Sequence, residues 1–315
     1  MLLKRFNTCT AMQKFEVHII GCGSALPTRK HLPSCQVVNV RDKLLLLDCG
    51  EGAQLAWRKT GLNWQKITHI FLTHAHGDHV FGLPGFLSTM GLLGRTAPIY
   101  VHGPASLQTY VEFMKAHFFA DLDYEIHFVS VDTTAHALVF EDRSMEVWSL
   151  PLKHRLPCCG YLIKEKPGQR HIRREMIDFY GIPTWAINHI KAGDDWTTPE
   201  GEVVPNSRLT TPPDPVRSYA YCSDTMPMPE LEEWCRDIDL LYHEATYAET
   251  EKQQAKRYFH STASQAAATA KAANVKKLLI GHFSARYEDE SVLLNEAQNV
   301  FPNTYLATEE LRITL

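Results

Sequence analysis

The hexapeptide His74-Ala75-His76-Gly77-Asp78-His79 places four side chains that can bind metals in one short segment, directly after the apolar run IFLT. In an extended backbone, side chains two residues apart point the same way, so His74 and His76 can close on one ion. Gly77 lets the chain turn, which directs Asp78 and His79 toward a second ion. Two metal ions about 3.5–4 Å apart are a common device for hydrolysing phosphoesters. The hexapeptide therefore predicts a two-metal hydrolase.

Distant segments must complete both ligand sets, since these four side chains are too few for two ions. Three candidates each follow an apolar segment, namely His154 in LPLKHR, Asp224 in YCSDT and His282 in LIGHFSAR. A carboxylate has two oxygens and can bridge two ions, and histidine suits zinc. The predicted ligands are His74, His76, His154 and Asp224 for one ion, and Asp78, His79, His282 and the shared Asp224 for the other. Manganese fits the same carboxylate and imidazole ligands, but two zinc ions are the expected cofactors.

Short apolar segments that end in polar loops must position these ligands. The pattern predicts a strand in FEVHIIG, two strands joined by a turn at Arg41-Asp42, and helices over AQLAWRKTG and GLPGFLSTMGLLG. Further strands are expected in KITHIFLT, PIYVHGP, MEVWSLPLKH, SYAYCSDT, DIDLLYHEAT and KKLLIGHFSAR. The alanine-rich SQAAATAKAA predicts a helix that Ser261 or Thr262 could cap. The predicted ligands thus lie at the ends of predicted strands.

The character of the chain changes between about Lys166 and Arg217, where Pro, Gly, Asp and Thr are frequent and only REMIDFYGI and WAINHIKAG show helical spacing. The strand pattern resumes afterwards, so we interpret residues 167–217 as an insertion in one catalytic domain spanning residues 12–315. Residues 1–11 are expected to be a frayed extension. No apolar stretch approaches the roughly twenty residues that a membrane span needs.

Composition places the chain among globular proteins, because 44% of its 315 residues are hydrophobic and 22% are charged. The formal net charge is −4, so a nucleic acid would have to meet a local basic surface. The eight cysteines form no C-x-x-C pair. Reduced, mostly buried thiols in a cytoplasmic protein are therefore expected.

Several segments together resemble the ribonuclease Z branch of the metallo-β-lactamase superfamily. THAHGDHVFGLPG resembles the superfamily's signature loop, while GCGSALPT, DCGEGAQ, YHEAT, HSTASQAA and GHFSARY resemble ribonuclease Z from about Lys14 to the C-terminus. The resemblance implies an α/β protein of the metallo-β-lactamase fold, a four-layer αβ/βα sandwich, and in bacteria usually a homodimer. It implies a zinc-dependent endoribonuclease that removes the 3′ trailer from precursor tRNA, leaving a 3′-hydroxyl on the tRNA and a 5′-phosphate on the trailer.

The resemblance also assigns roles to single residues. The family's metal ligands fall on the seven positions predicted from spacing, and Asp78 is also the proton acceptor that activates the water nucleophile. His260 is the proton donor to the departing 3′ oxygen, with Glu244 as its orienting partner. Asp48 and Glu51 are expected to brace the ligand loops by hydrogen bonds. His243, beside Glu244, is expected to be structural.

The insertion resembles the exosite arm of the family, a protruding element that grips tRNA away from the cut. Its basic face is predicted to bind phosphates without reading sequence, through Arg170, Arg173, Arg174 and Lys191. One departure is that the family's arm commonly carries a Gly-Pro step near its tip, whereas this chain has GIPTWAINHIK.

Two alternatives stay open at the level of sequence. A different hydrolase of the same superfamily, such as a small-molecule phosphodiesterase, an arylsulfatase or a lactonase, would share the metal loop but would need neither the insertion nor the HSTA segment. A catalytically silent RNA-binding relative would keep the fold, but such copies usually lose ligands, and this chain has all seven.

Overall fold

The computed structural model describes residues 14–315, so the predicted extension at residues 1–11 lies outside the described residues. The strands, numbered in chain order, are β1 Phe15–Gly21, β2 Cys35–Val40, β3 Lys43–Leu47, β4 Ile67–Phe71, β5 Ile99–Pro104, β6 Ile126–Val131, β7 Leu138–Glu141, β8 Met145–Leu152, β9 Cys158–Glu165, β10 His171–Ile172, β11 Trp196–Thr197, β12 Val203–Val204, β13 Thr210–Thr211, β14 Ser218–Cys222, β15 Leu240–Glu244, β16 Lys277–Gly281, β17 Thr304–Leu306 and β18 Arg312–Thr314.

The α-helices are numbered in the same way. They are α1 Ala53–Thr60, α2 Gly77–Val80, α3 Leu83–Leu92, α4 Gln108–Phe118, α5 Arg174–Tyr180, α6 Thr184–Ala192, α7 Asn206–Leu209, α8 Glu230–Trp234, α9 Lys252–Tyr258, α10 Ala263–Ala272 and α11 Ser291–Val300. Each helix predicted from the sequence is present. Among the described residues, no helix has the length and apolar character needed to cross a membrane.

Two seven-stranded mixed sheets contain most of the strands. The first has the order β18-β1-β2-β3-β4-β5-β6, and the second has the order β17-β16-β15-β14-β9-β8-β7. Strands β3 to β6 are parallel neighbours, and so are β14 to β17. The hairpin β2–β3 turns at Arg41 and Asp42, whose φ angles of 51° and 66° match the two-residue turn that suits twisted strands.

Side-chain alternation along β3 explains how the layers pack. Leu45 and Leu47 belong to a core shared with strands of the second sheet, while Leu44 and Leu46 belong to a core shared with α1, α3 and α4. Successive side chains of a strand point to opposite faces, so one leucine-rich strand serves both cores. The first sheet therefore lies between the second sheet and a layer of helices.

Two helices cover the sheets with residues at helical spacing. In α3 the buried residues include Leu83, Phe86, Leu87 and Met90. In α10 they are small instead, with Ala263, Ala266, Ala267 and Ala270 buried in the core that contains the second sheet. Helices on one sheet and helices on the other give the four-layer order that the resemblance implied.

The chain divides into two compact units. The described part of the larger comprises residues 14–164 and Arg217–Leu315, and the described part of the smaller is Glu165–Val216. The smaller unit has its own apolar cluster, which includes Ile182, Ile190 and Leu209. Its range corresponds closely to the insertion expected at residues 167–217.

Candidate active site

The carboxyl ends of neighbouring parallel strands bring the candidate residues to one edge of the larger unit. The loop after β4 carries the HAHGDH segment, and Asp224, Glu244 and His282 lie at or just after the ends of β14, β15 and β16. In α/β sheets, ligands bind outside the carboxyl ends of strands, so this edge is the expected location of a site.

His74, His76, His154 and Asp224 form a first group. Nε2 of His74 lies 2.8 Å from Nδ1 of His76, and Nε2 of His154 lies 3.3 Å from the same atom. Oδ2 of Asp224 lies 3.6 Å from Nε2 of His74 and 3.8 Å from Nε2 of His154. Residues up to 150 positions apart in the chain thus present their ligand atoms to one small volume.

Asp78, His79 and His282 form a second group beside the first. Oδ2 of Asp78 lies 3.4 Å from Nε2 of His79 and 3.6 Å from Nε2 of His282. Oδ1 of Asp224 lies 3.6 Å from Nε2 of His79 and 3.1 Å from Nε2 of His282. Asp224 therefore turns one oxygen toward each group, which is the arrangement predicted for a bridging carboxylate.

Unsatisfied nitrogen atoms show that the donor set fits metal ions. Nε2 of His79 and Nε2 of His282 are both buried without a hydrogen-bond partner, although a buried polar atom without a partner is costly. Burial lowers the pKa of His74 well below its ordinary value, which favours the neutral imidazole that binds a metal. Imidazole and carboxylate donors of this kind are the ligands that divalent zinc takes in catalytic sites.

Negative charge is concentrated at the second group. Burial by itself lowers the pKa of His79, but the carboxylates of Asp78, Asp48 and Asp224 raise it well above its ordinary value. A histidine that is fully buried among three carboxylates marks a place that requires positive charge. A divalent cation satisfies that requirement and would bind the Nε2 atoms that lack hydrogen-bond partners.

The second nitrogen of four candidate ligand histidines is held by the protein. Nδ1 of His79 donates to Asp48 at 2.7 Å, and Nδ1 of His282 lies 2.8 Å from Oγ1 of Thr246. Nδ1 of His74 lies 3.0 Å from Oγ1 of Thr73, and Nδ1 of His154 lies 3.1 Å from the carbonyl oxygen of Phe259. Such contacts fix the ring orientation of metal ligands.

Asp48 and Glu51 occupy different environments. Asp48 is fully buried and also accepts hydrogen bonds from the backbone and hydroxyl of Thr73 and from Tyr221, so it braces the ligand loop. Glu51 is exposed at the wall of the pocket, and within residues 14–315 no hydrogen bond connects it to that loop. The turn before α1 directs its side chain outward.

His260 and Glu244 form a pair next to the two groups. Nδ1 of His260 donates to Oε1 of Glu244 at 2.8 Å, and Glu244 is fully buried. Glu244 also accepts from the backbone of Thr225 at 2.9 Å and from the hydroxyl of Thr246 at 2.6 Å. Burial opposes protonation of His260, but the Glu244 carboxylate outweighs it and raises the pKa of His260 to about 9. The Glu244 carboxylate thus favours the protonated form of His260.

A pocket of about 820 Å³ opens onto both groups and onto His260. Its walls include Asp78, His76, His154, Asp224 and His282. Partly exposed side chains at its mouth include Phe81, Arg155, Tyr258 and Arg286. The arrangement combines a candidate metal centre, a protonated histidine and a wide opening, which suits hydrolysis in a large substrate.

Comparison with known proteins identifies the family. A ribonuclease Z from Bacteroides fragilis (strain YCH46) is 55% identical over 304 residues, which are 96% of this chain and 100% of that protein. The ribonuclease Z from Parabacteroides distasonis is 51% identical over 304 residues, which are again 96% of this chain and 100% of that protein. The chain belongs to the ribonuclease Z family.

Solved structures agree with this membership. The short form of human tRNase Z has a TM-score of 0.67 and 25% identity, covering 95% of this chain and 98% of that one. The metallo-β-lactamase fold protein YhfI from Bacillus subtilis has a TM-score of 0.67 at 17% identity, covering 96% of this chain and 100% of that one. The predicted metallo-β-lactamase fold is thereby confirmed. A family profile described as anti-Pycsar protein Apyc1 also matches residues 15–142.

The basic residues predicted on the insertion lie within the smaller unit. Arg173 and Arg174 are exposed at the start of α5. Arg170 and Lys191 are half-buried, and Nε of Arg170 donates to Oγ1 of Thr210 at 2.7 Å. Residues 167–217 contain six Lys and Arg residues but seven Asp and Glu residues, so the basic character is local to the first third of the insertion.

Several residues of the ribonuclease Z pocket were missed in the sequence. Arg155, Tyr258, Phe81 and Arg286 line it, but they carry no ligand spacing, and only their position after a ligand or before the HSTA segment hinted at the site. His243, expected to be structural, is fully buried with Nδ1 2.8 Å from the carbonyl oxygen of Glu244. Seven of the eight cysteines are described, and all seven are buried and unpaired; Cys9 lies outside the described residues.

Proposed function

We propose that this ribonuclease Z family member is a metal-dependent endoribonuclease that removes the 3′ trailer from precursor tRNA. The products would be a tRNA with a 3′-hydroxyl and a trailer with a 5′-phosphate. One observation carries the proposal: Asp224 faces two histidine groups beside the His260–Glu244 pair, in a chain aligned along the whole length of its ribonuclease Z relatives. The human relative of known structure is a tRNase Z.

We infer two zinc ions as the cofactors. His74, His76, His154 and Asp224 would hold one ion, and Asp78, His79, His282 and Asp224 the other. When bound, such ions make water nucleophilic near neutral pH and stabilise the charge that develops on the phosphate. Manganese is the alternative that the same ligands accept.

Asp78 and His260 divide the proton transfers between them in this proposal. Asp78 lines the pocket, and because His79 and His282 outweigh the effect of burial, its pKa lies well below its ordinary value and its carboxylate is ionised. It accepts the proton of the attacking water. His260 gives a proton to the departing 3′ oxygen, which is a poor leaving group until it is protonated.

Glu244 positions the donor. It accepts from Nδ1 of His260, which leaves Nε2 as the atom that can hand a proton to the substrate. Because Glu244 is itself fixed by Thr225 and Thr246, the imidazole ring has one supported orientation. A histidine held in this way is a competent general acid.

The insertion supplies the proposed grip on tRNA away from the cut, through phosphate contacts of Arg170, Arg173, Arg174 and Lys191. We further propose a cytoplasmic location, because the described cysteines remain unpaired thiols. A homodimer is proposed from the family resemblance, and light scattering of the purified protein measures it directly.

Mapping of the cleavage site tests the function. The purified protein, loaded with zinc, is incubated with a precursor tRNA, and both new ends are analysed. We expect a cut at the start of the trailer, with a 3′-hydroxyl on the tRNA and a 5′-phosphate on the trailer. A cyclic phosphate would implicate the 2′-hydroxyl of the RNA and would contradict the mechanism.

Metal analysis of the same preparation separates an enzyme from a silent relative. We expect about two zinc ions per chain, from the two ligand sets. Fewer than one ion per chain after purification in zinc would favour a catalytically silent RNA-binding protein. Hydrolysis of a small phosphodiester without cleavage of precursor tRNA would instead favour another hydrolase of the superfamily.

A further inference from the structure

Arg155 and Tyr258 form a stacked pair on one wall of the pocket. The guanidinium carbon of Arg155 lies 5.0 Å from the centroid of the Tyr258 ring, and both residues line the pocket. An arginine that stacks on an aromatic face loses little further freedom when its N–H groups bind an anion. The pair therefore presents a pre-oriented cation beside the candidate metal centre.

The charge of Arg155 is available to a ligand. Across residues 14–315, no carboxylate forms an ion pair with Arg155, and its side chain is exposed. Arg286, on the other side of the pocket, also lies over a tyrosine, with its guanidinium carbon 4.9 Å from the ring centroid of Tyr247. However, Arg286 forms an ion pair with Glu251. Of these two arginines, Arg155 is the one whose charge the protein leaves uncompensated.

Contacts of His154, the residue before Arg155, connect this pair to His260. Nδ1 of His154 lies 3.1 Å from the carbonyl oxygen of Phe259, which ties the segment of Arg155 to the segment that carries Tyr258 and His260. The rings of His154 and His260 lie 5.2 Å apart. Arg155 therefore lies on the side of the pocket from which His260 reaches the substrate.

We propose that Arg155, held against Tyr258, binds the phosphate on the 5′ side of the nucleotide that precedes the cut. This rests on the proposed function, in which His260 protonates the 3′ oxygen of that same nucleotide. The next anionic group upstream of that oxygen is the 5′ phosphate of the nucleotide. A planar guanidinium matches two phosphate oxygens with parallel hydrogen bonds.

A neighbouring arginine provides a matched control. The guanidinium carbon of Arg257 lies 5.5 Å from the centroid of the same Tyr258 ring, but Arg257 does not line the pocket. Each of the substitutions Arg155→Gln and Arg257→Gln therefore removes one positive charge that lies over the Tyr258 ring. Arg155→Gln removes it inside the pocket, and Arg257→Gln removes it outside.

The experiment measures kcat/KM with a precursor tRNA and with the same RNA carrying a neutral methylphosphonate at the proposed phosphate. For Arg155→Gln we expect a loss of about tenfold or more on the natural RNA, as for other hydrogen bonds to charged groups, with most of it in KM. With the neutral linkage, the wild type and Arg155→Gln should have the same kcat/KM. Arg257→Gln should resemble the wild type on both substrates.

Two results would overturn the proposal while leaving the proposed function intact. One is cleavage of natural precursor tRNA by Arg155→Gln at the rate of Arg257→Gln. The other is an equal loss in Arg155→Gln on the natural and the neutral RNA, which would indicate a structural role for the side chain. If the wild type hydrolyses bis(p-nitrophenyl) phosphate but no precursor tRNA, both the proposed function and this phosphate site fail.

Discussion

In the proposed reaction His260 donates a proton, whereas Asp78 accepts one and also binds metal. Substitutions of the two residues should therefore have different effects on activity and metal content. His260→Ala should lower kcat on precursor tRNA by about 10²–10⁴-fold, the usual contribution of a general acid, without loss of metal. Asp78→Ala should lower activity at least as much and should also lower metal content, since Asp78 lies in the second ligand group. Single-turnover cleavage and elemental analysis of both variants measure the two quantities.

Controls for this pair come from residues outside the site. Asp121→Ala changes an exposed aspartate and should preserve both activity and metal content. Normal cleavage by His260→Ala would remove the proton-donor assignment. Full metal content in Asp78→Ala would argue that Asp78 acts in catalysis without binding an ion.

Residue types and spacing predicted the candidate metal centre better than they predicted its surroundings. The i, i+2 spacing of His74 and His76 and the position of Asp224 after a strand were readable in the sequence, and the fold brings them together. His260 and Glu244 are 16 residues apart with no periodic relation, so only family resemblance pointed to them. No role for Arg155 could be predicted from the sequence, because an arginine in a loop has no distinguishing pattern.

At the scale of elements, the N-terminus of α10 both stabilises the helix and lies next to His260 of the candidate site. Oγ1 of Thr262 accepts from the backbone of Gln265 at 3.2 Å, and the Gln265 side chain accepts from the backbone of Thr262 at 2.9 Å. This capping box begins two residues after His260, so the same turn supports the helix and the donor. Ser261, the other candidate cap, instead donates to the carbonyl oxygen of Thr225 at 2.7 Å.

Thr262→Ala should lower the free energy of unfolding by about 1–2 kcal/mol, the range measured for lost helix caps. The buried Thr262 hydroxyl also donates to Glu249 at 2.7 Å, which places the expected value toward the upper end. Urea unfolding followed by circular dichroism measures it, with Thr211→Ala at an exposed position as the control. A change smaller than about 0.3 kcal/mol would show that the cap contributes little.

Elements were more predictable from the sequence than their arrangement in sheets. Leu44 to Leu47 predict a buried strand, but the pattern alone does not say that alternate leucines face another sheet and a helix layer. The order β17-β16-β15-β14-β9-β8-β7 joins strands that are far apart in the chain. Such pairing depends on tertiary packing, which no local propensity encodes.

At the scale of the whole molecule, the proposed role of the insertion in binding tRNA separates a tRNA-processing enzyme from a small-molecule hydrolase. Small substrates need no contact outside the pocket, whereas a precursor tRNA extends far beyond it. Lys164 pairs with Ser218 in the antiparallel β9–β14 ladder, and the same register places Lys166 opposite Val216, so a two-residue Asn-Gly turn can replace residues 167–215 without opening the second sheet. Arg217 is retained, because it is buried and donates to the terminal carbonyl oxygen of Leu315.

This deletion should lower kcat/KM on precursor tRNA by at least about 100-fold, because several phosphate contacts are lost together. Hydrolysis of bis(p-nitrophenyl) phosphate and zinc content should remain near the wild-type values, since all seven candidate ligands belong to the larger unit. Steady-state kinetics on both substrates measure the difference, and retained diester hydrolysis also shows that the shortened chain folds. Undiminished cleavage of precursor tRNA by the shortened chain would remove the insertion from substrate binding, and the pocket walls would then have to hold the RNA alone.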